Sequence, residues 1–199
     1  MERNKARTRS AILAAAGRLL AREGFRNLGV NAVAREAGVD KVLIYRYFGG
    51  ARELLEALGR DRTLWPEPPS DPEAARSPSA ALVVALREHA LAFERSALLH
   101  RAVAAEMAGD DALGRTVAAA REERSAALAA AIRDRYPLPH HLDLPAAVAL
   151  LSAAVTYLSL LRREGRTFCG LDLADPAAWR RVEKLTAVVA RALLDTPDA

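Results

Sequence analysis

The chain has 199 residues, 51% hydrophobic but only 5% aromatic, and carries a formal net charge of +4. That length supports a real core and one large or two modest domains, and the dominance of Ala, Leu, Arg and Glu over β-branched residues excludes a sheet-rich fold. Residues 1–60 hold 12 Lys and Arg against 6 Asp and Glu, a balance of +6 that leaves −2 for the remainder, so a polyanion partner is expected at the N-terminal end alone.

The first predicted helix runs from about Lys5 to Glu23, with Ile12, Leu13, Ala16, Leu19 and Leu20 inward. Its start resembles a secretory signal, but Arg18 and Arg22 interrupt the apolar run too early. Gly24 ends it, and Phe25 is placed to fold back onto the stripe. A second helix is predicted over Val30 to Ala37, closed by Gly38. Asp40 caps a third, Lys41 to Phe48. Gly50 opens a fourth, with Leu54, Leu55 and Leu58 inward.

Trp65 to Pro78 contains five prolines and reads as a loop. Further helices are expected at Ser79 to Glu94, Leu98 to Ala108, Asp111 to Tyr136, Leu144 to Glu164, and Pro176 to Leu194, the last with Pro176 at N1. The pattern is an all-α chain of about nine helices. Leu144 to Leu161 carries no charge and reaches the length of a membrane span. Its Ser, Thr and many Ala residues favour a helix buried at a subunit interface instead, with no membrane partner. The single Cys169 excludes an intramolecular disulfide and fits a reducing cytoplasm, where it reads as an inert thiol near a loop.

The stretch EAGVDKVLIYRYF, Glu36 to Phe48, concentrates the chemistry. With Ile44 inward, Phe48 follows one turn on, and Lys41 and Tyr47 sit at the margins. Val42 and Arg46 then point away from the core, flanked by Leu43 and Tyr45. Ala34, Gly38 and Ile44 have the spacing of a helix-turn-helix: a small contact residue, a tight turn and a plug, completed by Val33 and Val39. Such a unit places its second helix in the major groove.

The run from Arg9 to Leu58 resembles the N-terminal domain of TetR/AcrR-type transcriptional repressors. The matches are IL-A-A--LLAREGF in the first helix, V--VA-EAGV in the second, then K--IY-YF and ELL. The resemblance implies a three-helix DNA-binding domain over residues 1–50 and a larger helical ligand-binding and dimerisation domain over 51–199. Lys41, Tyr45 and Tyr47 are then expected on phosphates, Arg46 on guanine, and Asn31 on adenine. Gly29 stands where relatives cap with Thr or Ser. Val42 and Leu43 replace a small residue and a hydroxyl, and are suited to a thymine methyl. Ala51 replaces a Lys, whose role Arg52 is placed to take. Arg3, Lys5, Arg7 and Arg9 form a basic arm suited to backbone or minor-groove contacts.

In the remainder, Leu150, Leu151, Ala154, Leu158 and Leu161, then Trp179, Val182, Leu185, Val189 and Leu193, form apolar stripes expected to build a homodimer interface. Trp65, His89, Phe93, Met107, Arg121 and Tyr157 are candidate contacts for a small-molecule effector, with His100 and Thr156 beside them. His140 and His141 lack companion ligands, so neither metal nor cofactor is expected. The sequence-level reading is a cytoplasmic, ligand-responsive regulator that binds a double-stranded, inverted-repeat operator and is released by a small molecule. An all-helical enzyme is the first alternative, although no nucleophile–base, phosphate-loop or paired-carboxylate arrangement stands out. A helical adaptor without DNA binding is the second.

Overall fold

The computed structural model describes residues 2–24, 28–61, 75–108 and 112–195. Within them, helix formers dominate each run between Gly, Pro and Asp punctuation, and nine helices result. These are α1 (Glu2–Glu23), α2 (Val30–Ala37), α3 (Lys41–Phe48), α4 (Ala51–Gly59), α5 (Pro78–Arg95), α6 (Ala97–Ala108), α7 (Ala112–Arg135), α8 (Leu144–Arg163) and α9 (Pro176–Leu194). The expected all-α architecture is what forms. The position expected for Phe25, and the proline-rich segment from Trp65 as far as residue 74, lie outside the described residues.

Two details differ from the sequence reading. Helix α1 begins at Glu2, about three residues before the expected start, so the basic run Lys5, Arg7 and Arg9 lies wholly within it. No Gly or Pro precedes Gly17, and Lys, Arg and Ala propagate a helix readily. A short hairpin was also not foreseen: β1 (Thr167–Phe168) pairs antiparallel with β2 (Leu171–Asp172), Thr167 opposite Asp172 and Phe168 opposite Leu171. Cys169 and Gly170 form its two-residue turn with φ of 50° and 75°, the pair of positive values that a type I′ turn requires. Strands of two residues are too short to leave an alternating pattern. Cys169 stands exposed at the tip.

The helices group into two compact units. One contains α1 to α4, α6 and α7 as far as Arg121; the other contains α5, α7 from Glu122, α8 and α9. In the first, α1 packs on α2, α4 and α6, burying Ile12, Leu13, Ala16, Leu19 and Leu20 against Leu54, Leu58, Leu99 and Val103, among others. Full burial of each such side chain contributes roughly 1.5–3 kcal/mol. In the second, Leu82, Leu86, Ile132, Val148, Leu151, Val155, Trp179 and Leu194 share one core.

Capping fixes where these elements start. Asp143 accepts from Ala146 N at 3.0 Å to open α8, and Asp175 from Ala177 N at 2.8 Å to open α9, where Pro176 takes the first helical position. Asp195, just beyond α9, accepts from Ser79 N and from the hydroxyls of Ser77 and Ser79, which ties the end of α9 to the start of α5.

Candidate DNA-binding surface

Helix α2 ends in a turn that sets the direction of α3. Gly38 adopts φ 65° and ψ 34°, while Val39 N donates to Ala34 O at 3.0 Å and Gly38 N to Arg35 O at 3.3 Å. This is the Schellman pattern, and the left-handed residue at its centre favours glycine because a Cβ there meets the backbone. Asp40 then caps α3 by accepting from Val42 N at 2.8 Å. Gly29, at the N-cap of α2, is extended and supplies no side-chain cap, so α2 depends on packing instead. Ile44, Val33 and Ala34 are buried, and Val39 is half-buried beside them.

Once Ile44 is fixed inward, the helical turn decides the rest of α3. Lys41, Val42, Tyr45 and Arg46 are exposed, while Leu43, Tyr47 and Phe48 are half-buried. Val42 presents 61% of its surface and Tyr45 54%, large values for apolar and aromatic groups on a monomer. Asn31 is exposed on α2. So is Arg35, one turn further along that helix, which the sequence reading passed over; its spacing of four from Asn31 was the available signal.

The cations of this unit fall into two sets. Glu36 of α2 accepts from Arg18 Nε at 3.0 Å and Arg22 Nη2 at 2.9 Å, clamping α2 to α1. Those bonds, Arg22's first, hold the Glu36 carboxyl below the ordinary carboxylate range against the opposing effect of burial. Arg52 pairs with its neighbour Glu53 at 3.0 Å, so its charge is partly compensated where a phosphate contact is expected. Arg9 lies over the ring of Phe48. By contrast, among the described residues Lys41, Arg46 and Arg35 make no ion pair with any carboxylate. Uncompensated charge therefore gathers on the outer faces of α2 and α3.

The residues expected around an effector are dispersed. In the second unit, His89 Nε2 and Thr156 Oγ1 share a hydrogen bond of 2.9 Å, and the His89 ring meets Phe93 edge-on at 5.0 Å, with Phe93 fully buried. Tyr157 does not join them; it is exposed and packs edge-on against Phe168 of the hairpin at 5.6 Å. In the first unit, Met107 is exposed, His100 is buried and Arg121 pairs with Glu106. Trp65 lies outside the described residues. Among the described residues no three His, Cys, Asp or Glu side chains gather as a metal site.

The apolar stripes also divide. On α8, Leu151 and Leu161 are buried while Leu150 is 66% exposed and Tyr157 stands outward. On α9, Trp179 is buried and Val182, Val189 and Leu193 pack on the core, leaving Leu185, 63% exposed, and Val188 outward. Each stripe was wide enough to serve two faces. Helix α8 is long and apolar enough to cross a membrane, yet nine of its residues are buried inside this chain.

A helix-turn-helix on a three-helix base, joined to a helical body, defines a DNA-binding protein of the regulator class. Residues 12–58 match the family model described as bacterial regulatory proteins, tetR family. Over those residues the chain is similar to the N-terminal domain of that family. The whole fold is similar to a putative TetR-family transcriptional regulator from Rhodococcus sp., with 23% identity, a TM-score of 0.70 and coverage of 92% of this chain and 98% of that one. It is similar to the fatty acid degradation regulator FadR from Bacillus halodurans, with 18% identity, a TM-score of 0.70 and coverage of 90% and 94%. The FadR of Bacillus subtilis, solved in complex with stearoyl-CoA, matches at 16% identity with a TM-score of 0.65 and coverage of 89% and 97%. Comparison with curated protein sequences finds no match.

Proposed function

We propose that this protein is a homodimeric transcriptional repressor that binds an inverted-repeat operator and is released from it by a small molecule. The observation that carries this is the outer face of α3, where exposed Val42, Tyr45 and Arg46 stand beside uncompensated Lys41 on a helix held by Ile44 and Asp40. Residues 1–50 form the DNA-binding domain and 51–199 the ligand-binding and dimerisation domain. Arg46 reads guanine, and Val42 and Leu43 meet a thymine methyl. Lys41, Tyr45, Tyr47 and Arg52 contact phosphates, with Asn31 and Arg35 of α2 at the groove edge. Two copies join through α8 and α9, where Leu150, Tyr157, Leu185 and Val188 are exposed.

Such a protein works in the cytoplasm and is not an enzyme. Its effector favours a conformation with wrongly spaced recognition helices, a coupling of about 1–3 kcal/mol. A relative solved with an acyl-CoA ligand supports small-molecule control without naming the ligand here. The test is selection of bound sequences from a random DNA pool with the purified protein. An enriched inverted repeat, bound with a salt-dependent affinity, is the expected result. Recovery of no enriched sequence overturns the reading.

A further inference from the structure

A cavity of about 250 Å³ opens in the second unit near the end of α8, lined by Glu94, Ser159, Arg162, Arg163 and Ala174. Ser159 is buried, and its hydroxyl is the one buried side-chain polar atom among the described residues without a hydrogen-bond partner. A buried hydroxyl is costly to leave unmet, and a helical serine ordinarily turns back to a carbonyl of the preceding turn. This one has no such partner, and its residue belongs to the cavity wall.

The charges around it are held in place. The Arg162 guanidinium lies over the Trp179 ring, 4.6 Å from its centroid, and pairs with the Glu94 carboxylate. Arg163 Nη1 donates to Phe93 O at 3.0 Å and to Glu94 O at 2.7 Å, carbonyls of the last turn of α5. Two guanidiniums against one carboxylate leave the cavity positive. The Glu94 side chain is more than a third exposed, whereas that of Arg162 is only 20% exposed. The carboxylate is therefore the partner that returns to water at least cost, while the stacked guanidinium stays as a preformed fork.

We infer that this cavity binds a small monocarboxylate, whose carboxylate replaces Glu94 on Arg162 and accepts a hydrogen bond from Ser159. The exchange keeps the charge on Arg162 balanced and satisfies the Ser159 hydroxyl. The volume lies just below the roughly 300–1,000 Å³ of sites for drug-sized ligands, which suits an acid of few carbons or one ring. That such an acid acts as the effector rests on the regulator reading above; that it binds does not.

The test is calorimetric titration of the full chain with butyrate and benzoate, and with butanol and benzyl alcohol as matched neutral probes. The acids bind and the alcohols do not. Ser159→Ala weakens the acids about tenfold, the loss of one charge-assisted hydrogen bond. Glu94→Gln tightens them several-fold, because the internal competitor is gone while its backbone carbonyl remains. Absence of acid binding, equal binding of the alcohols, or a Glu94→Gln variant with unchanged affinity overturns the site. A gel shift with selected DNA on the same samples separates the two readings. DNA binding without acid binding removes this site alone, and acid binding without DNA binding removes the regulator reading alone.

Discussion

The guanidinium of Arg9 sits over the ring of Phe48, its central carbon 5.1 Å from the ring centroid. One residue belongs to the early turns of α1 and the other closes α3, so the contact braces the far end of the recognition helix. A cation over an exposed or half-exposed ring contributes about 0.5–1 kcal/mol. Arg9→Ala lowers thermal stability by that small amount and weakens DNA binding more than the loss of a single solvated charge does. Arg9→Lys, which keeps the charge, restores part of both. Full recovery of DNA binding by Arg9→Lys, with no change in melting temperature in either variant, points to a plain phosphate contact.

Arg46→Ala weakens operator binding by about 1–3 kcal/mol and relaxes preference at one base position in each half-site. Lys41→Ala weakens all sequences evenly and makes the salt dependence shallower by about one phosphate contact. A half-site mutation series measured at two or more salt concentrations distinguishes them. Uniform weakening by Arg46→Ala places that residue among the phosphate contacts.

Val42 and Leu43 differ in exposure, and their substitutions should differ in kind. Val42 stands outward while Leu43 is half-buried. Val42→Thr leaves the melting temperature unchanged and reduces discrimination of T·A from C·G at one position by about 1 kcal/mol. Leu43→Thr lowers stability as well, because part of its side chain packs within the unit. Unaltered base preference in both variants removes the thymine-methyl role.

Glu36 makes the stability of the first unit depend on pH. Its folded value is lowered from 4.5 by Arg22 and then Arg18, so the stabilisation is present above 4.5 and is lost as pH falls through the lower folded value. The pair groups are solvent-accessible, so the effect is modest and shrinks with salt. Thermal melts of wild type between neutral and acid pH fall more steeply than those of Glu36→Gln, which begins lower at neutral pH. Parallel curves for the two proteins rule out the clamp.

Leu185→Asp places a charge on the outward face of α9 and yields a folded monomer with much weaker operator binding. Val189→Asp is a poorer probe, since Val189 packs against the chain's own core and its replacement unfolds the unit. Sedimentation equilibrium at micromolar concentration reads the outcome. A Leu185→Asp protein that remains dimeric moves the interface away from this face. A two-fold dimer requires half-site centres about 34–36 Å apart or a simple extension of that.

Local rules in the sequence determined the helices, the turn at Gly38, the cap at Asp40 and the inward position of Ile44, because propensity, capping and the 3.6-residue period act within a few positions. Those same rules oriented α3, and so made Val42, Tyr45 and Arg46 legible as an outward set. Tertiary structure alone decided which cations were already engaged: Arg18 and Arg22 meet Glu36 from another helix, and Arg9 meets Phe48 more than thirty positions away. It also divided the α8 and α9 stripes into core and surface, since a wide apolar helix has two faces and only its neighbours choose between them. The cavity at Ser159 had no sequence signal at all. Its walls come from α5, α8 and the segment before α9, and no periodicity links residues brought together only by packing.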